Sequence, residues 1–400
     1  MNKTDIYNSI EACMNWIKNH MASFNHASWG IYERIRIDEN QRVCWVRPDC
    51  NSELLNTLEL YERVYAKNKE PYYTNILHWL KNVQNTDSDK KGSFNFYFLD
   101  GKYADGAAPA LFQNDNGKVL YHLGQIYNRT QQNEILTMMR DLADFWIPCQ
   151  TEEGYFYDKN YKTMHCYAKG PCFVVWMMMG LYQIWDITKD ERYYNTANRA
   201  LRYCLCSLIL EDRIRTSYEL EKFEDWRPYS SEAAILLLGL SEAYQKEHDT
   251  LLKECIGHKR KILTDLLLDM QHKSGAILNC GHMSVEGLTL QTNASSADLV
   301  YTEGFALRAL IRAYEVFGDS EYLDASVRLA QFLISIQCKN ESPYWDGAWR
   351  GSYDVNQQCW AGRCNQNNEI DEGGMYSVYT GWCCTNIMLG LLNLEPYINT

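Results

Sequence analysis

The sequence predicts an all-α fold: an (α/α)6 toroid of six helical hairpins, with an inner and an outer ring of helices, forming one domain over residues 1–400. Three observations predict it. Segments with helical apolar periodicity recur along the whole chain; they alternate between a one-sided and an all-round apolar kind; and short polar connectors join them. A helix with a single apolar stripe belongs to an outer layer. One that is apolar nearly all round, such as FVVWMMMGLYQIW or AAILLLGL, must be covered on both sides.

The outer members end in a turn rich in Trp, Phe or Leu, often with Gln, followed by a loop carrying Gly and an aromatic residue. They are NWIKNHMASFNHASWGIYE, HWLKNVQNTDSDKKGSFNFYF, DFWIPCQTEEGYFYD, LLDMQHKSGAILN and QFLISIQCKNESPYWDGAWRGSYD, with CLCSLILEDRIRTSYE as a weaker sixth. The inner members begin with polar or small residues: CNSELLNTLELYERVY, YADGAAPALFQNDNGKVLYHLGQIY, YAKGPCFVVWMMMGLYQIW, YSSEAAILLLGLSEAY, YTEGFALRALIRAYEVF and YTGWCCTNIMLGLL. Connectors such as DITKDERYY and FGDSEYL are short enough to force antiparallel neighbours. Six pairs closing on themselves bring all six outer-to-inner loops to one end, where the inner helices start.

Composition narrows the partners. A net charge of -12 argues against nucleic acid or an anionic membrane surface, which recruit clustered Lys and Arg. The opening MNKTDIYNSIEACMNWIKNHM has no signal-peptide core, and no apolar run is of membrane-spanning length, so the chain reads as cytoplasmic. The 15 cysteines are scattered and several fall in helical patterns, which suits reduced core thiols. No C-x-x-C or H-E-x-x-H spacing calls for a metal, and no glycine-rich phosphate loop calls for a nucleotide, so neither metal nor cofactor is expected.

Inner-helix starts carry partial positive charge and favour carboxylates. Candidates there are Glu53, Asp105, Lys169, Glu303 and Trp382; the loops add Tyr157, His165, Arg215, Trp226, Arg227, Trp349, Arg350, Tyr353, Asp354, Trp360 and Arg363. Asp105, Glu303 and Asp354 are the candidate catalytic carboxylates and the others the candidate substrate contacts. His122, in mid-helix, reads as a core histidine. A carboxylate set inside an aromatic wall suits a sugar, whose C–H faces rest on rings while its hydroxyls bond to polar groups. A carboxyl group held among apolar residues has the raised pKa of a proton donor. The expected partner is therefore a short oligosaccharide.

Three consecutive inner-helix starts resemble those of the unsaturated rhamnogalacturonyl and glucuronyl hydrolases, glycoside hydrolase families 105 and 88, within the six-hairpin glycosidase superfamily. Asp105-Gly106 is similar to their D-G start, Lys169-Gly170 to an R-G-x-G-W start, and Ser230-Ser231 to the small-residue start that follows. Lys169 replaces the family's Arg, Phe173 stands where Trp is common, and the second family aspartate is matched at best by Glu53 or Asp49. The resemblance implies hydrolysis of unsaturated or uronate-containing oligosaccharides, with Asp105 as general acid/base. Lys169, Arg215 or Arg227 would hold the substrate carboxylate.

Two other readings share the double ring. The Q-x-x-x-G-x-W/F loops are reminiscent of terpene cyclases and prenyltransferase β-subunits, although a D-x-D-D motif is absent and Gly373 replaces the expected zinc-binding Cys. Sugar 2-epimerases have the same fold, with His165 and His282 as the only stand-ins for their paired histidines; polysaccharide lyases are a further alternative on it.

Overall fold

The computed structural model describes residues 1–23, 30–67, 71–87, 89–99, 102–103, 110–157, 168–221, 228–280, 295–362 and 374–398. Among them, twelve long helices alternate between two rings. The outer ring is α1 (Lys3–Trp16), α3 (Pro71–Val83), α5 (Asn133–Trp146), α7 (Glu191–Tyr203), α10 (Thr250–Asp269) and α12 (Ser320–Ile336). The inner ring is α2 (Pro48–Val64), α4 (Gln113–Thr130), α6 (Pro171–Thr188), α9 (Tyr229–Lys246), α11 (Gly304–Phe317) and α13 (Thr385–Leu394); α8 (Ser217–Glu221) is a short addition before α9. Each inner helix packs against its two inner neighbours, and α13 returns to α2, so the toroid closes. The all-round apolar pattern has the expected consequence: residues 171–185 of α6 are all buried.

Inner-to-outer turns are short because each end is capped locally. Gln131, Lys189 and Gly318 stop α4, α6 and α11 in the left-handed conformation. Asp190, Asp249 and Asp319 then cap α7, α10 and α12 with their side chains. One boundary differs from the sequence reading. The second inner helix starts at Gln113 rather than at Asp105, and the intervening stretch contains the helix breaker Pro109.

The outer-to-inner loops carry two small antiparallel sheets. One joins β1 (Tyr32–Arg36), β2 (Gln41–Val46), β3 (Phe98–Leu99), β4 (Lys102–Tyr103) and β8 (Ser377–Tyr379) in the order β4-β3-β2-β1-β8; the other joins β5 (Ser296–Asp298), β6 (Ser352–Asp354) and β7 (Cys359–Trp360). The first ties together loops of the first, second and last hairpins.

The recurring Gln and Gly have one structural role. Gln84, Gln150, Gln271 and Gln337 each end an outer helix. Each donates its side-chain amide both to the carbonyl of a loop glycine (Gly92, Gly154, Gly275, Gly347) and to a backbone carbonyl of the next outer helix around the ring (Met138, Thr196, Ala325, Ser9) at 2.6–3.0 Å. The glycine lies against that neighbouring helix. At Gly275, φ is +100° and an added Cβ would stand 2.1 Å from the Arg328 carbonyl oxygen. Two outer helices without this glutamine, α1 and α7, run instead into π-helical turns, Ile17–Met21 and Cys204–Leu208.

A second device repeats at the inner ring, where five helices accept, in or just before the first turn, a backbone N–H from the loop. Asn51 Oδ1 takes Ile31 N at 2.8 Å and Asn116 Oδ1 takes Phe94 N at 2.8 Å. Glu232 takes Ser217 N at 3.2 Å, Glu303 takes Ile277 N at 3.1 and 3.2 Å, and Cys384 Sγ takes Trp349 N at 3.5 Å. Burial pushes the Glu303 carboxyl well above the usual carboxylate range, an effect that Asp298 reinforces and the Ile277 N–H opposes.

Two predictions follow from these contacts. Gly275→Ala should cost more than about 2 kcal/mol, because the methyl meets a backbone carbonyl. Gly318→Ala, with nothing within 4 Å of its Cβ, should cost only about 1 kcal/mol; urea denaturation of both variants checks the difference. In the folded chain Glu303 keeps its proton while in the unfolded chain it ionises near pH 4.3. Stability from this group therefore falls as pH rises from there to the raised folded value. Glu303→Gln should abolish that loss and match or exceed the wild-type midpoint at pH 7.5, as thermal melts across pH will show.

Candidate active site

Two polar layers lie on the toroid axis at the end where the inner helices begin. The upper one is built around Arg47, which follows β2 and precedes the Pro48 that opens α2. Its Nε and Nη2 donate to the two oxygens of Asp49 at 3.1 and 2.9 Å, Nη1 to Glu33 at 2.9 Å, and Nη2 also to Asp115 at 3.1 Å. The guanidinium sits 4.4 Å over the Phe96 ring. Burial works against its charge, yet Asp49, Asp115 and Glu33 hold its pKa well above the ordinary arginine value. Asp49 and Asp115 are first-turn residues of α2 and α4, where the helix dipole favours carboxylates. Arg34 bonds the Tyr379 hydroxyl across the β1–β8 pair.

One turn deeper, Glu53 is fully buried. Its Oε2 accepts from Lys118 Nζ at 2.9 Å, Trp382 N at 2.8 Å and Thr385 Oγ1 at 3.0 Å. Its Oε1 has no hydrogen-bond partner among the described residues, but faces Arg308 Nη1 at 3.8 Å and His122 Nε2 at 4.0 Å. Lys118 Nζ lies 3.8 Å from the Trp382 ring centroid, and Arg308 lies 5.8 Å from that of Trp176. The Trp382 indole donates to Asp49 Oδ2 at 2.5 Å and so ties the two layers together. His122 bonds Asn56 through Nδ1 at 3.0 Å; burial first, then Arg308, Lys118 and Arg129, drive its pKa well below the ordinary value, and the imidazole is neutral.

Of the residues singled out by sequence, Glu53 and Trp382 meet on the axis. Glu303 is engaged in holding Ile277 N. Asp354 is similarly occupied, accepting Asn356 N and Gln357 N at 2.9 Å and Ser295 Oγ at 2.9 Å in the turn after β6. Trp349 is fully buried and donates its indole N–H to the Leu333 carbonyl at 2.8 Å, a core position. Arg350 and Trp360 meet on Glu341, at 2.5 and 3.0 Å, with Tyr353 edge-on to Trp360 at 5.2 Å. Lys169 lies 5.5 Å over Tyr155, Arg215 N bonds the Leu208 carbonyl, and Tyr157 is exposed. Asp105, His165, Trp226, Arg227, Arg363 and His282 lie outside the described residues.

Sequence reasoning missed Arg47, Asp115, Lys118 and Arg308. A usable signal existed for two of them: Lys118 in NGKVLYHLG and Arg308 in GFALRALI are single cations inside inner-helix patterns that must be buried.

His122 stays neutral when folded and takes a proton near pH 6.5 when unfolded, so its contribution to stability is present above that pH and declines below it by up to about 1.4 kcal/mol per pH unit. His122→Asn should remove one proton from the pH dependence of unfolding between pH 6.5 and 5, measured by denaturant titration.

No family profile matches the chain, and no curated protein matches it by sequence. Solved structures do match. A sugar epimerase from a ruminal bacterium superposes with a TM-score of 0.74 at 11% identity, covering 100% of both chains. Cellobiose 2-epimerase from Bacillus thermoamylovorans gives 0.70 at 11% identity over 99% of each chain. An unsaturated glucuronyl hydrolase specific for heparin gives 0.64 at 11% identity, covering 99% of this chain and 96% of the other. At such identity the likeness establishes the architecture: the chain has the fold of the six-hairpin (α/α)6 toroid superfamily.

Proposed function

We propose that the protein is a carbohydrate-active enzyme that binds a short oligosaccharide at the Arg47 layer and cleaves it as a glycoside hydrolase by carboxylate acid–base catalysis. The carrying observation is the pair Asp49 and Asp115, presented from adjacent hairpins and bound to the same Arg47 Nη2. Glycoside cleavage needs one carboxyl group to protonate the leaving oxygen and a second to activate water or attack the sugar. Among the described residues this layer sets Glu33, Asp49 and Asp115 against Arg47 and Arg34, an excess of negative charge that favours an oxocarbenium-like transition state. Phe96 and the stacked Trp45–Tyr97 pair, with ring centroids 4.3 Å apart, offer faces for sugar rings nearby. Asp105 remains the acid that the family resemblance implies, and unsaturated or uronate-containing oligosaccharides remain the substrate class it suggests.

A second reading, epimerisation or isomerisation of a reducing sugar, is favoured by the buried Lys118 and Arg308 around Glu53, cations that would stabilise an enolate. The two are separable. With a panel of unsaturated and saturated uronate oligosaccharides and neutral disaccharides, hydrolysis releases new reducing ends, whereas epimerisation in heavy water places deuterium on a sugar carbon without cleavage. Asp115→Asn and Asp49→Asn should each lower kcat by about 100-fold or more with the melting temperature nearly preserved. Unchanged turnover in both, or deuterium uptake without cleavage, removes the hydrolase reading.

A further inference from the structure

The inner helices enclose a cavity of about 290 Å³ at the end opposite the Arg47 layer. Its mouth is set by the exposed Asn128 and Glu315, and its buried wall includes Tyr121 and Arg308. The volume falls at the lower end of small-ligand pockets, about 300 Å³, and suits a molecule of monosaccharide size.

The lining is polar where a closed toroid needs only apolar filling. Amide groups of Gln125, Asn128 and Gln183 provide both donors and acceptors, the combination that hydroxyl groups require. Helix C-termini attract cations, which accounts for Arg129 in the last turn of α4 and Lys246 at the end of α9. Those two are neutralised by Glu59 and Asp186, while Arg312 meets two carboxylates, the buried Glu242 and, at the exposed mouth, Glu315.

Arg308 has no such explanation. It is the fifth residue of α11, far from the C-terminus, and nearly fully buried. Its 2.7 Å hydrogen bond goes to a neutral amide oxygen, Asn386 Oδ1. The carboxylate facing it, Glu53 at 3.8 Å, already binds Lys118 at 2.9 Å. Glu53 against Lys118 and Arg308 leaves this fully buried cluster one positive charge in excess, and the cavity wall includes the cation that carries it.

We propose that this cavity is a second ligand site, specific for a small polyhydroxylated carboxylate such as a uronic or aldonic acid. Its carboxylate would pair with Arg308 and its hydroxyls would bond the amide-lined wall. Because Arg308 also faces Glu53, occupancy would be felt at the Glu53 cluster. The site does not depend on the reaction proposed above.

Titration calorimetry with D-glucuronate, and with D-glucose as the neutral control, tests it on the whole chain. Saturable binding of glucuronate is expected, at least about tenfold tighter than that of glucose. Asn393→Trp, which fills the cavity from its rim, and Arg308→Lys, which loses the planar fork, should each weaken glucuronate about tenfold or more, while Asp115→Asn leaves it unchanged. The absence of saturable binding, equal affinity for glucose, or loss of binding in Asp115→Asn but in neither closed-end variant would overturn the proposal.

Discussion

The toroid depends on keeping loop backbone paired where it passes between two rings of helices. A loop that returns from an outer to an inner helix takes its peptide groups out of water, and each unpaired one costs about 1–3 kcal/mol. The chain meets this constraint with two repeated contacts. A glutamine amide binds the loop carbonyl and the next outer helix in one stroke, and an acceptor at the inner helix's start takes a loop N–H. The first contact works around the circumference and the second works radially. Together they fix the described part of each clamped loop against two neighbours.

That constraint also explains which polar residues are withdrawn from chemistry. Glu232 and Glu303 occupy the same place as Asn51 and Asn116, neutral residues with the same partner group. A carboxylate there is an acceptor among acceptors. Glu53 differs because it stands one turn further in, beyond reach of the loop, with cations on two neighbouring helices. Burying three charges together is expensive, and an apolar cluster of similar volume would give comparable or greater stability. Their retention is better explained by a site than by the fold.

Much of the architecture was legible in the sequence because it depends on properties that are local along the chain. The two kinds of helix differ in how far their apolar surface extends, and Gln and Gly mark where four of the six outer helices end. Meaning was less legible than position. Trp349 looks like a substrate contact, yet like Phe94 and Phe156, which also stand two places after a clamp glycine, it is buried to within 1% and fills the space between the rings. Asp115 lies in QNDNGK, a composition that imitates a turn, and gains its significance only from Arg47, 68 residues earlier. No periodicity records such a pairing, since it is created by two hairpins lying side by side. Glu53 was visible as an acid near an inner-helix start, but its partners on α4, α11 and α13 were not.

Ring closure and the candidate site coincide at Trp382. Its backbone has φ 61° and ψ −36°, a conformation that a bulky side chain adopts only under restraint. The restraint comes from α2: the main-chain N–H binds Glu53, the indole N–H binds Asp49, and Gly381 lies so close to Cys50 that a Cβ would stand 2.4 Å from its sulfur. The last hairpin is thus joined to the first through the same carboxylates that pair with Lys118 and Arg47. A change in charge at either carboxylate weakens a hydrogen bond that holds Trp382 in its strained turn, and the Lys118 ammonium resting on that ring would feel the movement. The Arg47 layer and the seam of the toroid are therefore mechanically linked, through one side chain and two acids one helical turn apart.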